Sequence, residues 1–248
     1  MPTRSPVSTP CSALCPLRNR AVRRGPLCPG PARPAPRAPD PRTLAPRTPA
    51  PRYPCGVINA QPQQKYQVRF DVGLAGFEAL AGAADVVVLA DALPPAPGEA
   101  GPTVSLAAHQ VITANLDTSS RVAEWVLARQ TEKGDRFAVA VIAVGGRRAD
   151  GGGRFAVEDF LVAGAVIDAL SALGIDHCSP EAAAASAAFS GLQRAVRHLV
   201  TASETGLALA ADGRQAEVQA ALAPDLSTTD AGAGRPGISR VREFAFPV

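Results

Sequence analysis

Two neighbouring acids, Glu158 and Asp159, stand directly before a long apolar run in the stretch RFAVEDFLVAGAVIDAL, residues 154–170. Two kinds of chemistry suit acids in this position. Carboxylates stabilise the start of a helix, because the helix dipole is positive there. Adjacent carboxylates can also hold a divalent metal ion over a phosphate group. The residues alone leave both interpretations open, one structural and one functional.

Polar residues and glycines also fall at the predicted ends of strands. Asp71 follows the first predicted strand, Asp91 ends the second, and Gly145 and Gly146 end the strand at 136–144. In layered α/β folds, ligand-binding groups collect beyond the carboxyl ends of the strands. Asp91 ends an apolar strand, where a carboxylate is costly to bury unless it is paired or bound to a metal. Asp71 could equally be a turn residue. The pattern indicates a candidate site at this edge of the sheet.

Strand-like and helix-like patterns alternate along residues 65–248, which predicts a layered α/β/α domain with a mostly buried mixed sheet. About 180 residues are enough for one hydrophobic core. Near-continuous β-branched runs predict strands that are buried on both faces. Strands are predicted at 66–70, 85–93, 107–115 and 136–145, with a last one or a loose end after residue 242. Helices are predicted at 73–84, 119–134, 158–173 and 179–202, with one or two more over 205–224.

Helix ends carry further signals. A serine cap is predicted for the helix at 119–134, and Gly174 is predicted to end the helix at 158–173. The sequence Ser179-Pro180-Glu181 predicts the start of the longest helix, at 179–202. This helix is rich in alanine and is most simply a packing surface, so a homodimer is one expectation.

The first part of the chain has a different composition. Residues 1–55 hold 15 of the 24 prolines and ten arginines against one acid, so this part carries about +9 and the remainder about −6. Frequent proline prevents both helix and sheet. Few large apolar residues offset the entropy of ordering, so residues 1–64 are predicted to be a disordered extension, or to precede the true start. A basic arm for nucleic acid or membrane would need aromatic support, and neither partner is expected.

Targeting signals are not evident in the sequence. The longest apolar stretch, 160–170, is interrupted by Asp168 and is far short of a membrane span. Four of the five cysteines lie in the proline-rich part, which disfavours a disulfide framework or a cysteine zinc site in the domain. We therefore expect a cytoplasmic protein.

Several short motifs, in the right order, resemble the 2-phosphosulfolactate phosphatase family, which are magnesium-dependent phosphatases of the coenzyme M pathway. The stretch Arg69-Phe70-Asp71-Val72-Gly73 is similar to R-F-D-W-G, and Asp91 and Leu93 match a strand ending V-V-D-V-L. Residues 143–159 match A-G-E-R, D-G-S and R-x-A-V-E-D, and the following helix shares A-G-A-V-I. The likeness covers most of 66–225.

The chain also departs from the family pattern. A Ser/Thr-rich segment and a P-S-P-N-G-S-like loop are replaced by the short PPAPGEAGPTVSLAAH. An acid is lost where the family has Ala-Gly-Glu-Arg, because Gly146 stands at that place. The missing pieces are of the kind that surround phosphate with N–H groups and hydroxyls. The resemblance thus implies shared descent and fold more strongly than shared activity.

What the resemblance implies is a phosphatase that uses Mg²⁺ to hydrolyse a small anionic phosphoester, 2-phosphosulfolactate giving sulfolactate and phosphate. The implied metal ligands are Asp71, Asp91 and Glu158, and the implied catalytic residues are Asp159, as a support or base, and Arg147, on the phosphate. The implied substrate-binding residues are Arg69, Arg148, Gly145 and Gly146. Neighbouring helical side chains diverge by about 100°, so Glu158 and Asp159 are not expected to bind one ion in the same way.

Two other interpretations remain open. A shortened, catalytically impaired relative could bind an anionic metabolite or a protein partner without turnover. A nucleic-acid binder that uses residues 1–55 would show binding that is sensitive to salt, and it has the least support.

Overall fold

The computed structural model describes residues 62–99, 101, 103–148, 150–223, 238 and 240–247. They belong to one compact unit, Cys55–Val248. The predicted extension at 1–64 lies outside the described residues except for its last three, which form part of a turn at 62–65. Within the described ranges, every helix is too short or too polar to span a membrane.

A parallel four-stranded sheet forms the centre of this unit. Its strands are β1 (Val68–Val72), β5 (Val139–Ala143), β2 (Val86–Ala90) and β4 (Val111–Ala114), in that spatial order. All three pairings are parallel. The β-branched runs of β2 and β5 are buried at every position, as strands covered on both faces must be.

All named pairings of the central sheet are parallel, where a mixed sheet was predicted, and its edge strand β4 carries one isolated antiparallel bridge, between Ile112 and Arg240. The antiparallel pairings of named strands among the described residues lie in two separate small sheets. One small sheet pairs β3 (Thr103–Ser105) with β8 (Glu243–Ala245), and the other pairs β6 (Gly146–Arg147) with β7 (Gly153–Arg154). The hairpin of β6 and β7 contains the glycines Gly151, Gly152 and Gly153.

Helices cover both faces of the sheet, which confirms the layered α/β/α prediction. The helices are α1 (Gly73–Leu80), α2 (Ser119–Lys133), α3 (Val157–Ala172), α4 (Pro180–Leu192), α5 (Val196–Thr201), α6 (Glu204–Ala211) and α7 (Gln215–Leu222). One apolar cluster joins Val87, Leu89 and Ile142 to α1 and Phe246. The other joins Val88 and Val141 to α2, α3 and α4.

The contact between α3 and α4 requires a glycine. A Cβ atom placed on Gly164 would overlap the carbonyl oxygen of Ala185 and lie 2.7 Å from the Cβ of Phe189. The α4 backbone can therefore approach α3 closely, which fixes α3 above the sheet with its first turn at the strand ends.

Some predicted helix ends are confirmed and others are wrong. Ser179 caps α4 by accepting a hydrogen bond from the Ala182 N–H, and Gly174 follows α3 in the left-handed region at φ +85°. Ser119 does not cap α2, because it lies inside the helix and its hydroxyl donates to the Leu116 carbonyl.

The helix predicted at 179–202 is interrupted by a 3₁₀ turn at Gln193–Ala195, after Gly191, a poor helix former. This leaves α3, with 16 residues, longer than α4, with 13.

Candidate active site

A cavity of about 180 Å³ lies at the carboxyl ends of β2 and β5. Four of its lining residues are acids, namely Asp91, Glu99, Glu158 and Asp159. The remainder of the described lining consists of Leu93, Pro94, Pro95, Val144, Gly145, Thr205, Phe244, Ala245 and Pro247. The adjacent positions of β2 and β5 in the sheet bring together segments that lie more than fifty residues apart in the sequence. The expected convergence at this edge is therefore found for Asp91, Gly145, Glu158 and Asp159.

Asp159 holds two loops in place. Its Oδ1 accepts a hydrogen bond of 2.9 Å from the Ala92 N–H, and its Oδ2 accepts one of 2.8 Å from the Gly145 N–H. Those amides follow β2 and β5, so one carboxylate joins the ends of two neighbouring strands. Asp159 is 3% exposed, and both of its oxygens are occupied by the backbone. These contacts describe a residue that positions the walls of the cavity.

Glu158 has a very different environment, although it is the preceding residue. Its side chain is buried, with the residue 1% exposed, and neither carboxylate oxygen has a hydrogen-bond partner among the described residues. The cation recorded closest to it is Arg154, whose Nη2 lies 4.0 Å from Oε1. A buried carboxylate without partners carries a large desolvation cost, so this position favours a cation in the cavity.

Burial and neighbouring charges raise the pKa of two acids of the cavity, Asp91 and Asp159. The pKa of Asp91 is raised to about 7, mainly because burial disfavours its charged form and further because Glu158 and Glu99 lie nearby. A hydrogen bond from the Leu93 backbone acts in the opposite direction. Burial, together with the charge of Asp91, also raises the pKa of Asp159 well above its ordinary value. Without a cation in the cavity, Asp91 and Asp159 therefore keep their protons to higher pH than ordinary carboxyl groups do.

Arg154, which was not among the predicted site residues, is the cation beside the cavity. Its Nη2 donates to Glu99 Oε1 at 3.1 Å and to Thr205 Oγ1 at 2.7 Å, and its Nε lies 3.5 Å from Glu204 Oε2. The side chain is 10% exposed. One guanidinium thus connects the loop after β2, the start of α3 and the start of α6.

The two predicted glycines make room for this arrangement. A Cβ atom on Gly146 would overlap the Arg154 guanidinium. Gly145 adopts φ +85°, and a Cβ atom there would lie 2.9 Å from the Arg154 carbonyl oxygen. Gly145 lines the cavity, whereas Gly146 lies behind it against Arg154. The family acid that Gly146 replaces would therefore occupy the space that Arg154 fills in this chain.

Two predicted residues of β1 lie outside the cavity lining. Asp71 accepts a hydrogen bond from the Val72 N–H and packs against Gly76 of α1, where a Cβ atom would lie 2.7 Å from the Asp71 Cβ. Arg69 is 4% exposed and donates to the carbonyl oxygens of Tyr66, Ala83 and Gln64. These contacts give Arg69 a structural role near the start of β1.

Arg147 and Arg148 belong to the hairpin of β6 and β7, and neither lines the cavity. The Arg147 guanidinium lies over the turn, since its Nη2 is 3.6 Å from a Cβ atom placed on Gly151. Arg148 is exposed, and its backbone pairs with Gly151 and Gly152. The predicted phosphate contact of Arg147 would require its side chain to leave the turn.

No three His, Cys, Asp or Glu side chains within the described ranges form a group that could hold a metal ion. Two carboxylates, those of Asp91 and Glu158, face the cavity without the paired backbone contacts that occupy Asp159. Such a site provides few protein ligands and leaves room for water and substrate oxygens.

The residues at the cavity that were not predicted differ in how clearly the sequence indicates them. Arg154 belongs to the R-x-A-V-E-D motif and precedes Glu158 by four residues, so the motif pointed to it, although Arg154 lies in β7 and Glu158 in α3. Glu99 lies in a proline-rich loop and Phe244 near the end of the chain, where no pattern in the sequence points to the cavity. Their approach depends on the pairing of β8 with β3.

Comparison with protein families gives a match. A family model described as 2-phosphosulpholactate phosphatase matches residues 102–229, slightly more than half of the chain. The matched range contains Arg154, Glu158, Asp159 and Thr205, and it begins after Asp91. No curated protein matches the chain.

Proposed function

Because the chain belongs to the 2-phosphosulpholactate phosphatase family, we propose that it is a magnesium-dependent phosphatase acting on a small phosphoester. The family substrate, 2-phosphosulpholactate, would give sulpholactate and inorganic phosphate. The observation that carries the proposal is the Glu158 carboxylate, which is buried at the cavity with no hydrogen-bond partner among the described residues.

Electrostatics supports a cation in this cavity. Four carboxylates line it, and an anionic phosphate would be repelled unless a positive charge stood between them. Mg²⁺ commonly binds through one or two carboxylates, with waters and substrate phosphate oxygens completing its octahedron. Glu158 and Asp91 would hold the ion.

When bound, Mg²⁺ supplies stabilisation of charge on the phosphoryl oxygens and lowers the pKa of a bound water. Hydrolysis forms a bond from the water oxygen to phosphorus and breaks the ester P–O bond, and the water's proton balances the released alkoxide. Asp159 would act as the support, one of the two roles predicted for it, because it positions the loops that carry Ala92 and Gly145. Arg154 holds Glu99 and Thr205 at the edge of the cavity, and it lies closer to the acids than Arg147 does.

The direct test is release of inorganic phosphate from 2-phosphosulpholactate by the purified chain, with and without Mg²⁺. Activity should be lost in EDTA and recovered when excess Mg²⁺ is added. Asp91→Asn should lower kcat/KM at least about 100-fold, because a metal ligand and its charge are both lost.

The matched control is Asp135→Asn, because Asp135 is exposed at the end of α2 and should leave the rate unchanged. Phosphate release that is unaffected by EDTA would contradict the metal-dependent mechanism. Equal loss of activity in both variants would contradict a specific role for Asp91.

A second function is favoured by the missing three-acid group within the described ranges and by the shortened segment after β2. In this alternative, the chain is a catalytically impaired relative that binds an anionic metabolite, or a protein partner, without turnover. It predicts that Mg²⁺ and 2-phosphosulpholactate raise the Tm while no phosphate is released over hours.

A further inference from the structure

The chemistry of the cavity lining identifies the class of substrate, and this inference rests on the proposed phosphatase function. We propose that the preferred substrate is a small phosphomonoester whose carbon part carries no second anionic group. The chain would then discriminate against the carboxylate and sulfonate of 2-phosphosulpholactate. The proposal follows from the shortage of free positive charge around the cavity, from the apolar remainder of its lining, and from its size.

No lysine, arginine or histidine occurs among the described residues that line the cavity. Arg154 is the cation immediately beside it, and three carboxylates already share its charge. Its closest approaches are 3.1 Å to Glu99, 3.5 Å to Glu204 and 4.0 Å to Glu158. Its Nη2 is engaged by Glu99 and Thr205, while its Nε, which has no hydrogen-bond partner among the described residues, lies near Glu204. Glu99, Glu204 and Glu158 therefore compete with a sulfonate or a second carboxylate for its charge.

A second arginine near the site is also engaged. Arg214 reaches the rim, where its Nη1 donates to the Pro95 carbonyl oxygen at 3.0 Å. Its Nε and Nη2 each donate to Glu217 at 2.7 Å, which neutralises its charge. Arg69, Arg147 and Arg148, which could have bound additional anions, lie outside the lining.

Apolar side chains form most of the remaining lining. Leu93, Pro94, Pro95, Phe244 and Pro247 offer no hydrogen-bond donor to a substrate, because proline also lacks a backbone N–H. A carboxylate or sulfonate placed against these residues would lose its hydration without gaining a partner. A hydroxymethyl or methyl group would meet no such cost.

Charge balance leads to the same conclusion. 2-Phosphosulpholactate carries a phosphate, a carboxylate and a sulfonate on three carbons. A divalent cation held by Glu158 and Asp91 would compensate the phosphate but would leave two further anions beside the acidic lining. Like charges in close contact cost several kcal/mol, so each added anion should lower kcat/KM at least about tenfold.

The size of the cavity restricts the substrate to a few carbons. Sites for drug-sized ligands usually measure about 300–1,000 Å³. A cavity of about 180 Å³ is smaller than this range and suits a phosphate on a three-carbon skeleton.

Three phosphomonoesters with the same three-carbon skeleton and the phosphate on the second carbon test the inference. Glycerol 2-phosphate adds no anion, 2-phospholactate adds one carboxylate, and 2-phosphosulpholactate adds a carboxylate and a sulfonate. With Mg²⁺ present, kcat/KM should fall at least about tenfold at each step in that order. A higher kcat/KM for 2-phosphosulpholactate than for glycerol 2-phosphate would overturn the inference and leave the phosphatase function intact.

A second readout does not require turnover. The rise in Tm on adding each ester at equal concentration, with Mg²⁺, should follow the same order. Absence of phosphate release from all three esters would overturn the phosphatase function. The order of the Tm shifts would then still show whether the cavity prefers esters without a further anionic group. Equal Tm shifts, or the largest shift with 2-phosphosulpholactate, would refute the discrimination.

A cation added to the lining should reverse the preference. Phe244→Arg should raise the ratio of kcat/KM for 2-phosphosulpholactate to that for glycerol 2-phosphate about tenfold or more. Pro247→Arg should act in the same direction without the loss of an aromatic ring, which covers the case of a Phe244 variant that fails to fold. Leu207→Arg is the control, because Leu207 is 59% exposed on α6 and outside the lining. An unchanged ratio in a folded Phe244 or Pro247 variant would refute the inference.

Discussion

At the scale of single residues, Glu158 and Asp159 have different roles although they are neighbours in the chain. Asp159 accepts two backbone hydrogen bonds, whereas both oxygens of Glu158 lack hydrogen-bond partners among the described residues. The divergence of about 100° between adjacent helical side chains predicted that their roles would differ. The sequence could not show which acid would face which way, because this depends on where Ala92 and Gly145 lie after folding.

The different surroundings of these acids predict opposite effects on stability. In metal-free protein, Glu158→Gln should raise the free energy of unfolding, because it removes an uncompensated buried charge. Asp159→Asn should lower it by roughly 1–3 kcal/mol, because an amide leaves one of two buried N–H groups without an acceptor. Urea denaturation measures both changes, and Glu124→Gln on the exposed side of α2 is the control. A loss of stability in Glu158→Gln as large as that in Asp159→Asn would contradict this assignment.

The raised pKa of Asp91, about 7, predicts how stability depends on pH without metal. Between its ordinary pKa near 3.8 and about 7, Asp91 is protonated in the folded chain and ionised in the unfolded chain. The folded chain therefore binds more protons, so the free energy of unfolding falls as pH rises through this window. The fall is up to roughly 1.4 kcal/mol per pH unit for one such group, and Asp159 acts in the same direction.

Urea denaturation at pH 5.5 and 7.5 in EDTA measures this slope. Asp91→Asn should reduce the slope, and saturating Mg²⁺ should reduce it too, because the ion favours the ionised carboxylate. Stability that increases from pH 5.5 to 7.5 in EDTA would show that these carboxyl groups are not buried as described.

At the scale of elements, glycines determine how closely the helices and the hairpin approach. Hydrophobic periodicity and β-branched runs predicted the central strands and most helices, because those signals are local. The break after Gly191 and the position of Ser119 inside α2 were not predicted, because serine suits both a cap and a first turn. The close approach of α4 to Gly164 was not visible either, since it depends on which helices become neighbours.

Substitution of a glycine by alanine in each of two neighbouring helices distinguishes the effect of helix packing on stability from the effect of helix propensity. Gly164→Ala should lower the free energy of unfolding by roughly 1–3 kcal/mol, because its Cβ would overlap Ala185 and Phe189 at a tight helix contact. Gly191→Ala is the matched control, because nothing lies within 4 Å of the added Cβ, and it should stabilise by up to about 1 kcal/mol. Thermal or urea unfolding measures both, and stabilisation by Gly164→Ala would show that α3 and α4 are not in this contact.

At the scale of the whole molecule, the end of the chain completes a site that begins more than 150 residues earlier. β8 pairs with β3, and Phe246 is fully buried against Phe77 of α1. The sequence left residues 242–248 as a strand or a loose end, because a three-residue pairing has little local signal. Asp91 and Gly145 come together because β2 and β5 are parallel and end at the same edge of the sheet. The sequence could not show that Arg154 lies beside the cavity and Arg69 outside it, because this depends on the folded arrangement.

Burial of Phe246 predicts a large contribution to stability from the end of the chain. Phe246→Ala should lower the free energy of unfolding by roughly 3–5 kcal/mol, as for other buried phenylalanines. Phe155→Ala is the control, because Phe155 is 53% exposed and should cost less than about 1 kcal/mol. Unfolding followed by tryptophan fluorescence can measure both, and equal small effects would show that β8 is not docked.

The strand order also constrains how the domain assembles. β1 contacts no other strand of the central sheet than β5, and β5 inserts between β1 and β2, which precede it in the chain. Until β5 docks, β1 has no partner in that sheet and Asp91 has no neighbouring Gly145. The cavity therefore cannot form before β5 has docked, and this docking depends on contacts distant in sequence, which form slowly in general. A partly folded intermediate without β5 would have no functional site at all.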